Sequence, residues 1–390
     1  MTVTALTLDG QSTHSSLEAA GSVLRVELPQ ALAPGTPALI TFEFTVRLPL
    51  EMSGNYGLFG SFDGLLVLKE SYPIIPVFDK DGWDLELPVE HGDITHLDAS
   101  FSIVRVTLPA NLQVIASGVE LDRVDQGEWQ SVTFAAGPVR EFYLAAAQRF
   151  QRSSTTLGET TINSYVLPGA EKSEKTILDH TTAALTLFNQ HLMPYPYTEL
   201  DFLSTPMQAY GMEYPGVIAL NIKMYDPEDL ISGVPAPIFL ESTTVHEAAH
   251  QWFYNLVGND QLEAPWLDEA IAQYLTGIYY LERYGEQAYR SYRQSWIERW
   301  DLVEQQPTPI GLPAASYDAR AYGALIYGRG PLFIEALAEK LGEETFWTFM
   351  RSYVQLYQWD IAHPEDFIGL AEETCACKLD DLWEIWGVYP

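Results

Sequence analysis

Cysteine is almost absent from the chain: of 390 residues only Cys375 and Cys377 are cysteines. A framework of disulfides or a cysteine-rich zinc site needs more thiols than this. The C-x-C spacing also places the pair too close together for an ordinary structural bridge. We therefore expect the fold to be stabilised by packed cores, for which a composition with 47% hydrophobic residues is sufficient.

Basic residues are also scarce, with 21 Lys and Arg against 53 Asp and Glu and a formal net charge of -32. A field of this sign repels phosphate polyanions, so nucleic acid is not a predicted partner. No apolar run reaches the length of about 18 residues that a transmembrane helix needs, so none is predicted in this chain. The first residues resemble the middle of a β domain. Whether a segment with a signal precedes them is left open, and with it whether the compartment is cytoplasmic or extracytoplasmic.

The predicted secondary structure changes near residue 153, from strands to mainly helices. Before it, apolar and β-branched runs recur at 22–28, 40–48, 101–108 and 131–134 between Pro, Gly and Asp turns, which predicts a β-sheet domain over 1–153. After it, strands near 161–167, 200–205 and 216–221 and a helix over 174–191 precede a mostly helical region. The sequence therefore predicts a two-domain α+β protein, divided into 1–153 and 154–390.

A metal-binding pattern lies in Val245–Trp252, where His246, Glu247 and His250 form H-E-x-x-H in an apolar, proline-free run. Four residues advance a helix by about 400°, so the two imidazoles lie one turn apart on one face and suit one ion. Glu247 projects beside that ion, where it can accept a proton from a metal-bound water. The other reading is an ordinary helix that carries histidines by chance.

A third ligand follows after 18 residues, at Glu269 in the segment Trp266–Ala270. Pro265 can open a second helix there, whose packing on the first would bring the carboxylate to the metal. Two His and one Glu leave the fourth position of a tetrahedral zinc open for water, the catalytic arrangement. We therefore predict one zinc per chain. The other histidines show no ligand spacing and are predicted to be surface or core residues: His14, His91, His96, His180, His191 and His363.

The H-E-x-x-H pattern, the 18-residue gap and the glutamate resemble the gluzincin aminopeptidases of the aminopeptidase N and leukotriene hydrolase type, and the stretch around them looks most like bacterial members. The resemblance implies an N-terminal antiparallel β-sheet domain followed by a thermolysin-like, mainly helical zinc peptidase domain. The sequence stops at Pro390, so if that is the true end we expect a member that lacks the large helical C-terminal domain common in the family.

The family's G-x-M-E-N strand is matched in part by Gly211, Met212 and Glu213, with Tyr210 in place of its first Gly and Tyr214 in place of Asn. The resemblance implies that Glu213 binds the free α-amine of a peptide and that Gly211 and Met212 belong to the substrate-binding strand. A carboxylate beside the metal cleft can pair with an ammonium group and fix which peptide bond reaches the metal.

The family's oxyanion-stabilising tyrosine lies in a Y-x-K-G context, and here it is matched by Tyr327 followed by Gly328, Arg329 and Gly330. Tyr322 is the other candidate for the oxyanion-stabilising tyrosine. If residues 321–328 form an α-helix, five positions separate the two phenols by about 140°, so only one would face the metal.

These residues predict a zinc metalloaminopeptidase that hydrolyses N-terminal residues from peptides with a free N-terminus. Zinc would be held by His246, His250 and Glu269, with Glu247 as the base. One alternative is a zinc endopeptidase or another gluzincin hydrolase without amine recognition. The second is a zinc-containing peptide-binding module without turnover. Oligomeric state, side-chain preference and physiological substrate are left open.

Overall fold

The computed structural model describes residues 1–52, 55–80, 82–93 and 95–388. Its strands in the first part are β1 (Thr2–Leu8), β2 (Gln11–Ser12), β3 (Ser15–Glu18), β4 (Val23–Val26), β5 (Ile40–Thr45), β6 (Phe59–Phe62), β7 (Leu65–Leu68), β8 (Phe78–Asp79), β9 (Gly82–Trp83), β10 (Ser100–Pro109), β11 (Gln113–Ala116), β12 (Val119–Asp125), β13 (Trp129–Val139) and β14 (Leu144–Ala147). The later strands are β15 (Gln151–Leu157), β16 (Thr160–Val166), β17 (Glu199–Thr205), β18 (Gly211–Met212), β19 (Val217–Asn221), β20 (Leu230–Ile231) and β21 (Val234–Pro235).

Helices dominate the second half of the chain, as the sequence predicts. They are α1 (Glu174–His191), α2 (Ala236–Ala249), α3 (Trp266–Tyr284), α4 (Glu286–Asp301), α5 (Ala319–Ala324), α6 (Gly330–Leu341), α7 (Glu343–Tyr357), α8 (Pro364–Cys375) and α9 (Asp380–Trp386). A π-helix, Leu325–Arg329, lies between α5 and α6. None of the described helices is long and apolar enough to cross a membrane.

The first part of the chain forms antiparallel sheets, which confirms the predicted fold class. Its larger sheets have the strand orders β10-β13-β12 and β11-β14-β7-β6. Side chains alternate along β10: Val104, Val106 and Leu108 turn toward a core, while Phe101 and Ile103, at the odd-numbered positions before them, are exposed. This alternation is the period of a sheet with one covered face.

A five-stranded mixed sheet, in the order β15-β16-β17-β19-β18, begins the second part. Strands β16, β17 and β19 run parallel, and α1 provides the crossover from β16 to β17 that parallel pairing requires. The division at residues 153 and 154 stays a prediction, since residue 153 lies inside β15, which pairs with β16. Strand β18 forms one edge of the sheet.

The helices share one large core. In α1, the buried residues Ile177, Thr181, Ala184 and Phe188 follow a helical spacing that gives the helix one apolar face. The helices α2 and α3 are buried around most of their circumference. A helix that is covered on all sides lies at the centre of a domain, so these two helices are held by neighbours in every direction.

The two cysteines correct an expectation from the sequence, because Cys375 and Cys377 are joined by a disulfide with their Cα atoms 5.1 Å apart. Ala376 between them adopts the left-handed conformation, with φ of 49°, at the end of α8. That reversal brings the two Cα atoms into the range that a disulfide spans, which an extended C-x-C segment does not do.

Arg140 ties the first part of the chain to the second. Its buried guanidinium donates to the backbone oxygens of Leu97 at 2.8 Å, Tyr254 at 2.6 Å and Asp360 at 2.5 Å. Gly258 makes room for it, since a Cβ there would lie 2.1 Å from Arg140 Cζ. Burying a guanidinium is acceptable because its N–H groups are paired.

We expect Gly258→Ala to lower the free energy of unfolding by about 1 to 3 kcal/mol, because the added methyl group has no space beside Arg140. Urea unfolding followed by circular dichroism measures the change. Gly369→Ala in α8 is the matched control: nothing lies within 4 Å of its Cβ, so it should be neutral or stabilising. Equal stability of the two variants would contradict the tight packing of Arg140 against Gly258.

Candidate metal centre

His246, Glu247 and His250 lie at the C-terminal end of α2, where the sequence predicts a helix. The helix ends at Ala249 and His250 is its C-cap. The two histidine side chains are buried, with relative exposures of 8% for His246 and 1% for His250. Glu269 lies in the first turn of α3 and is buried as well. The contact between α2 and α3 therefore brings together residues that are 19 or more positions apart.

Three donor atoms of these residues converge on one point. His246 Nε2 lies 3.1 Å from His250 Nε2 and 3.1 Å from Glu269 Oε2, and His250 Nε2 lies 3.5 Å from the same oxygen. A tetrahedral zinc with ligands at about 2.0–2.1 Å separates those ligands by about 3.3 Å. The donor spacing and the two-nitrogen, one-oxygen set therefore fit zinc.

The hydrogen bond of His250 points its metal-binding nitrogen at this site. Its Nδ1 lies 3.0 Å from the carbonyl oxygen of Phe253, which can only accept, so Nδ1 carries the proton. The lone pair is then on Nε2, toward His246 and Glu269. A backbone carbonyl that fixes the tautomer of a ligating histidine is a recurrent feature of metal sites.

Electrostatics keep Glu269 ionised. Burial alone would raise its pKa, but His250 and His246 outweigh burial and hold the pKa of Glu269 well below its usual range. Glu269 is thus an anionic oxygen donor in the described structure. Asp268 beside it differs, because burial and then Glu269 raise its pKa to about 7.

Glu247 faces Glu213 across the site. Oxygen atoms of the two carboxyl groups and a nitrogen of His250 all lie within 4.8 Å of one another. Burial, followed by the neighbouring Glu213, raises the pKa of Glu247 well above its ordinary value. Gly211 packs directly on this carboxyl group, since a Cβ there would lie 2.2 Å from Glu247 Oε1. Any side chain at position 211 would displace Glu247.

The departure from the G-x-M-E-N pattern at Tyr214 has a packing explanation. Its ring stacks on Tyr143 of the first part of the chain, with centroids 4.0 Å apart and planes 7° apart. Met212 lies in the same core beside strands of the first part. The segment that carries Glu213 is therefore anchored on both sides by buried side chains.

Tyr322 and Tyr327 are arranged differently from the α-helical expectation of about 140°. Tyr322 lies in α5, whereas Tyr327 lies in the π-helix that follows it, whose i to i+5 hydrogen bonds widen the turn, so the angle between the two side chains departs from the α-helical value. The two ring centroids are 6.0 Å apart. Tyr327 donates its hydroxyl proton to Glu269 Oε1, whereas the hydroxyl of Tyr322 is buried without a partner among the described residues.

Sequence reasoning missed two polar residues at the site. Gln261 Nε2 donates to Asp268 Oδ2 at 2.8 Å and lies 3.5 Å from Glu213 Oε1. Asp93, from the first part of the chain, hydrogen bonds Glu269, and burial followed by Glu213 raises its pKa well above the usual range. Asp93 is more than 100 residues from the motif, and nothing in its own local pattern indicates a role.

Comparison with protein families gives one match, to the Peptidase family M1 domain over residues 176–386. Among curated proteins, the chain is 27% identical over 290 residues to Aminopeptidase M1-B of Oryza sativa subsp. japonica, which covers 72% of this chain and 33% of that protein. It is 22% identical over 392 residues to Aminopeptidase 2 of Candida albicans, covering 97% of this chain and 42% of that protein. The chain therefore spans less than half the length of these relatives.

Solved structures share the fold. A mutant of the M1 zinc metallopeptidase from Deinococcus radiodurans superposes with a TM-score of 0.75 at 21% identity, covering 100% of this chain and 84% of that one. The same enzyme bound to a Tyr-Ser-Ala substrate gives a TM-score of 0.74 at 21% identity, covering 100% and 85%. The family match covers more than half of the chain and includes the three donor residues and Glu247. We conclude that the chain belongs to peptidase family M1.

Proposed function

We propose that this chain is a zinc-dependent aminopeptidase that removes N-terminal residues from peptides. The convergence of His246, His250 and Glu269 on one point, with Glu247 beside them, carries the proposal. The names of the curated relatives, which are aminopeptidases, support it. A zinc ion held by the three donors supplies Lewis-acid activation of a carbonyl group and of water.

Glu247 acts as general base and then as general acid. Its carboxylate takes a proton from water and passes it to the nitrogen of the leaving amine. A buried carboxyl with a raised pKa suits both roles, because its carboxylate binds a proton more strongly than that of an exposed glutamate. Gly211 fixes the position of this carboxyl group by packing against it.

Glu213 anchors the α-ammonium group of the substrate. It is 5% exposed and its carboxylate faces the same space as Glu247, so an ammonium bound there places the first peptide bond beside the base. Gly211 and Met212 belong to β18, the edge strand of the mixed sheet. Unpaired backbone groups at a sheet edge can hold an extended peptide by strand addition, so the side chain of Met212 can stay in the core.

Tyr327 donates its O–H to the oxyanion that forms on the scissile carbonyl. Its hydrogen bond to Glu269 supports this role, since it positions the phenol beside the donor atoms. Burial and then Glu269 raise the pKa of Tyr327 well above its ordinary value, which keeps the phenol protonated and able to donate.

The position of Glu213 favours aminopeptidase activity over both alternatives. An endopeptidase gains nothing from a buried carboxylate within 4.8 Å of the base, because a peptide chain that continues on the amine side carries no positive charge there to offset the cost of burying that carboxylate. A non-catalytic binding module has no use for Glu247. We propose the activity for this chain, with peptides bearing a free N-terminus as partners.

Glu247→Gln should retain about one zinc per chain and lose nearly all turnover, because an amide cannot accept the proton of water. The matched variant His246→Ala/His250→Ala should lose the zinc. Elemental analysis and hydrolysis of aminoacyl fluorogenic substrates measure the two properties. Unchanged kcat in Glu247→Gln, or full zinc retention in the double variant, would falsify the assignments.

Glu213→Ala should reduce kcat/KM for substrates with a free amine far more than for their N-acetylated counterparts, since only the former pair with this carboxylate. The ratio of the two rates is the readout. Glu228→Ala, at an exposed position in a turn before β20, serves as the control and should leave the ratio unchanged. An equal loss on blocked and unblocked substrates would rule out amine binding by Glu213.

Tyr327→Phe should lower kcat by about a hundred- to a thousandfold while leaving zinc content and ground-state binding little changed. Tyr322→Phe should stay within about tenfold of wild type, because its hydroxyl does not reach Glu269. The two rings are neighbours, which makes Tyr322→Phe a close control. The reverse ranking of the two variants would transfer the role to Tyr322.

A further inference from the structure

A second group of metal-ligating side chains lies outside the candidate metal centre, in the described part of the chain. His96 Nδ1 is 2.6 Å from Asp84 Oδ2 and 3.1 Å from Asp260 Oδ2. The three atoms lie within 4.8 Å of one another. Asp84 and His96 come from the first part of the chain, and Asp260 comes from the loop between α2 and α3. The sequence gives no ligand spacing for His96, because its partners are distant in the chain.

The backbone orients both carboxylates toward the ring. Asp260 Oδ1 accepts from the N–H groups of Leu262 at 2.9 Å and Glu263 at 3.0 Å. Asp84 Oδ1 accepts from the N–H of Glu86 at 3.0 Å. In each carboxylate one oxygen is occupied by its own loop, and the other is directed at the same nitrogen of His96.

The imidazole of His96 is enclosed, with a side-chain exposure of 7%. Its Nε2 is buried and has no hydrogen-bond partner among the described residues, so the ring makes both of its polar contacts through Nδ1. One ring nitrogen carries at most one proton. A single N–H cannot point straight at two carboxylate oxygens, so the arrangement leaves one anion poorly satisfied.

More negative charge surrounds the group. Burial raises the pKa of Glu263, and Glu86, Asp260 and Asp84 add to that rise. Glu86 and Glu263 therefore add to the negative charge of Asp84 and Asp260, in a chain whose net charge is -32. Like charges this close repel one another unless a cation lies between them.

We propose that Asp84, His96 and Asp260 form a second cation site, which takes a divalent first-row transition ion such as Mn²⁺. Each residue offers one donor atom, giving one nitrogen and two oxygens with water in the remaining positions. Imidazole and carboxylate together suit Mn²⁺ and Zn²⁺, whereas Ca²⁺ takes six to eight oxygens. The side chains of Asp84 and Asp260 are 25% and 15% exposed, which leaves a path for the ion to enter.

A cation here clamps the segment of Asp84 and His96 onto the loop that leads to the candidate metal centre. The next residue of that loop, Gln261, accepts from the N–H of Thr95 at 2.8 Å and donates to Asp268. The same amide group lies 3.5 Å from Glu213. The second site thus stabilises the contact between the two parts of the chain beside the amine-binding carboxylate.

The test is a titration of the zinc-loaded full chain with MnCl2, in which electron paramagnetic resonance reports free Mn²⁺. We expect about one Mn²⁺ per chain, with the zinc content unchanged after gel filtration. His96→Ala and Asp260→Asn should each weaken Mn²⁺ binding by at least about tenfold. Mn²⁺ should also raise the melting temperature of the wild type but not of these variants. The readouts do not depend on peptide hydrolysis, so they stand apart from the proposed activity.

His191→Ala is the matched control, because His191 pairs with the single carboxylate Glu282 at 2.6 Å and should not contribute to Mn²⁺ binding. If His96→Ala or Asp260→Asn does not fold, Asp84→Asn replaces it, since the Asp84 side chain is 25% exposed. Absence of Mn²⁺ binding to the zinc-loaded wild type overturns the proposal. Binding that stays unchanged in His96→Ala or Asp84→Asn also overturns it.

Discussion

The enclosure of acidic side chains around two imidazoles is the constraint on which the site depends. Glu213, Glu247, Asp268 and Glu269 are all at most 5% exposed, and donor atoms of His246 and His250 lie close to Glu269, with His250 also close to Glu213 and Glu247. Burying carboxylates is costly unless they are paired, protonated or bound to a metal. That cost appears in the raised pKa values of Glu247 and Asp268, of which burial is the largest cause. A divalent cation at the three donors would offset it.

The same constraint explains why so much of the fold surrounds two helices. Residues 246, 250 and 269 reach one point only if α2 and α3 stay in register, and both helices are covered on nearly all sides. The first part of the chain contributes to that support. Arg140 binds backbone oxygens in the turns after α2, and Tyr143 stacks on Tyr214 next to Glu213. The β-rich part of the chain therefore supports the site that the helical part carries.

Local patterns predicted most of the fold and the central part of the site. The helix expected over 174–191 is α1, and the strands expected near 101–108 and 161–167 are β10 and β16. The spacing of His246 and His250 is set by the helix itself, so it could be derived from sequence. Glu269 lies on a second helix, and the start of that helix could be predicted because Pro265 directly precedes it.

The remaining features depend on tertiary contacts or on unusual backbone geometry. Tyr322 in α5 and Tyr327 in the π-helix that follows meet edge to face, and the sequence pattern around them is equally compatible with one continuous α-helix. Asp93, His96 and Gln261 meet their partners only after the two parts of the chain have packed together. The bridge between Cys375 and Cys377 depends on the left-handed Ala376, a conformation that alanine rarely adopts. Residue spacing carries no signal for any of these.

X-ray absorption at the zinc edge of the purified chain tests the central claim most directly. The account predicts about two imidazole nitrogens and one or two oxygens at about 2.0–2.1 Å, without sulfur, because His246, His250 and Glu269 are the ligands and the cysteines are not. The imidazole scattering should disappear in the His246→Ala/His250→Ala variant. A sulfur shell at about 2.3 Å, or an unchanged spectrum in that variant, would contradict it.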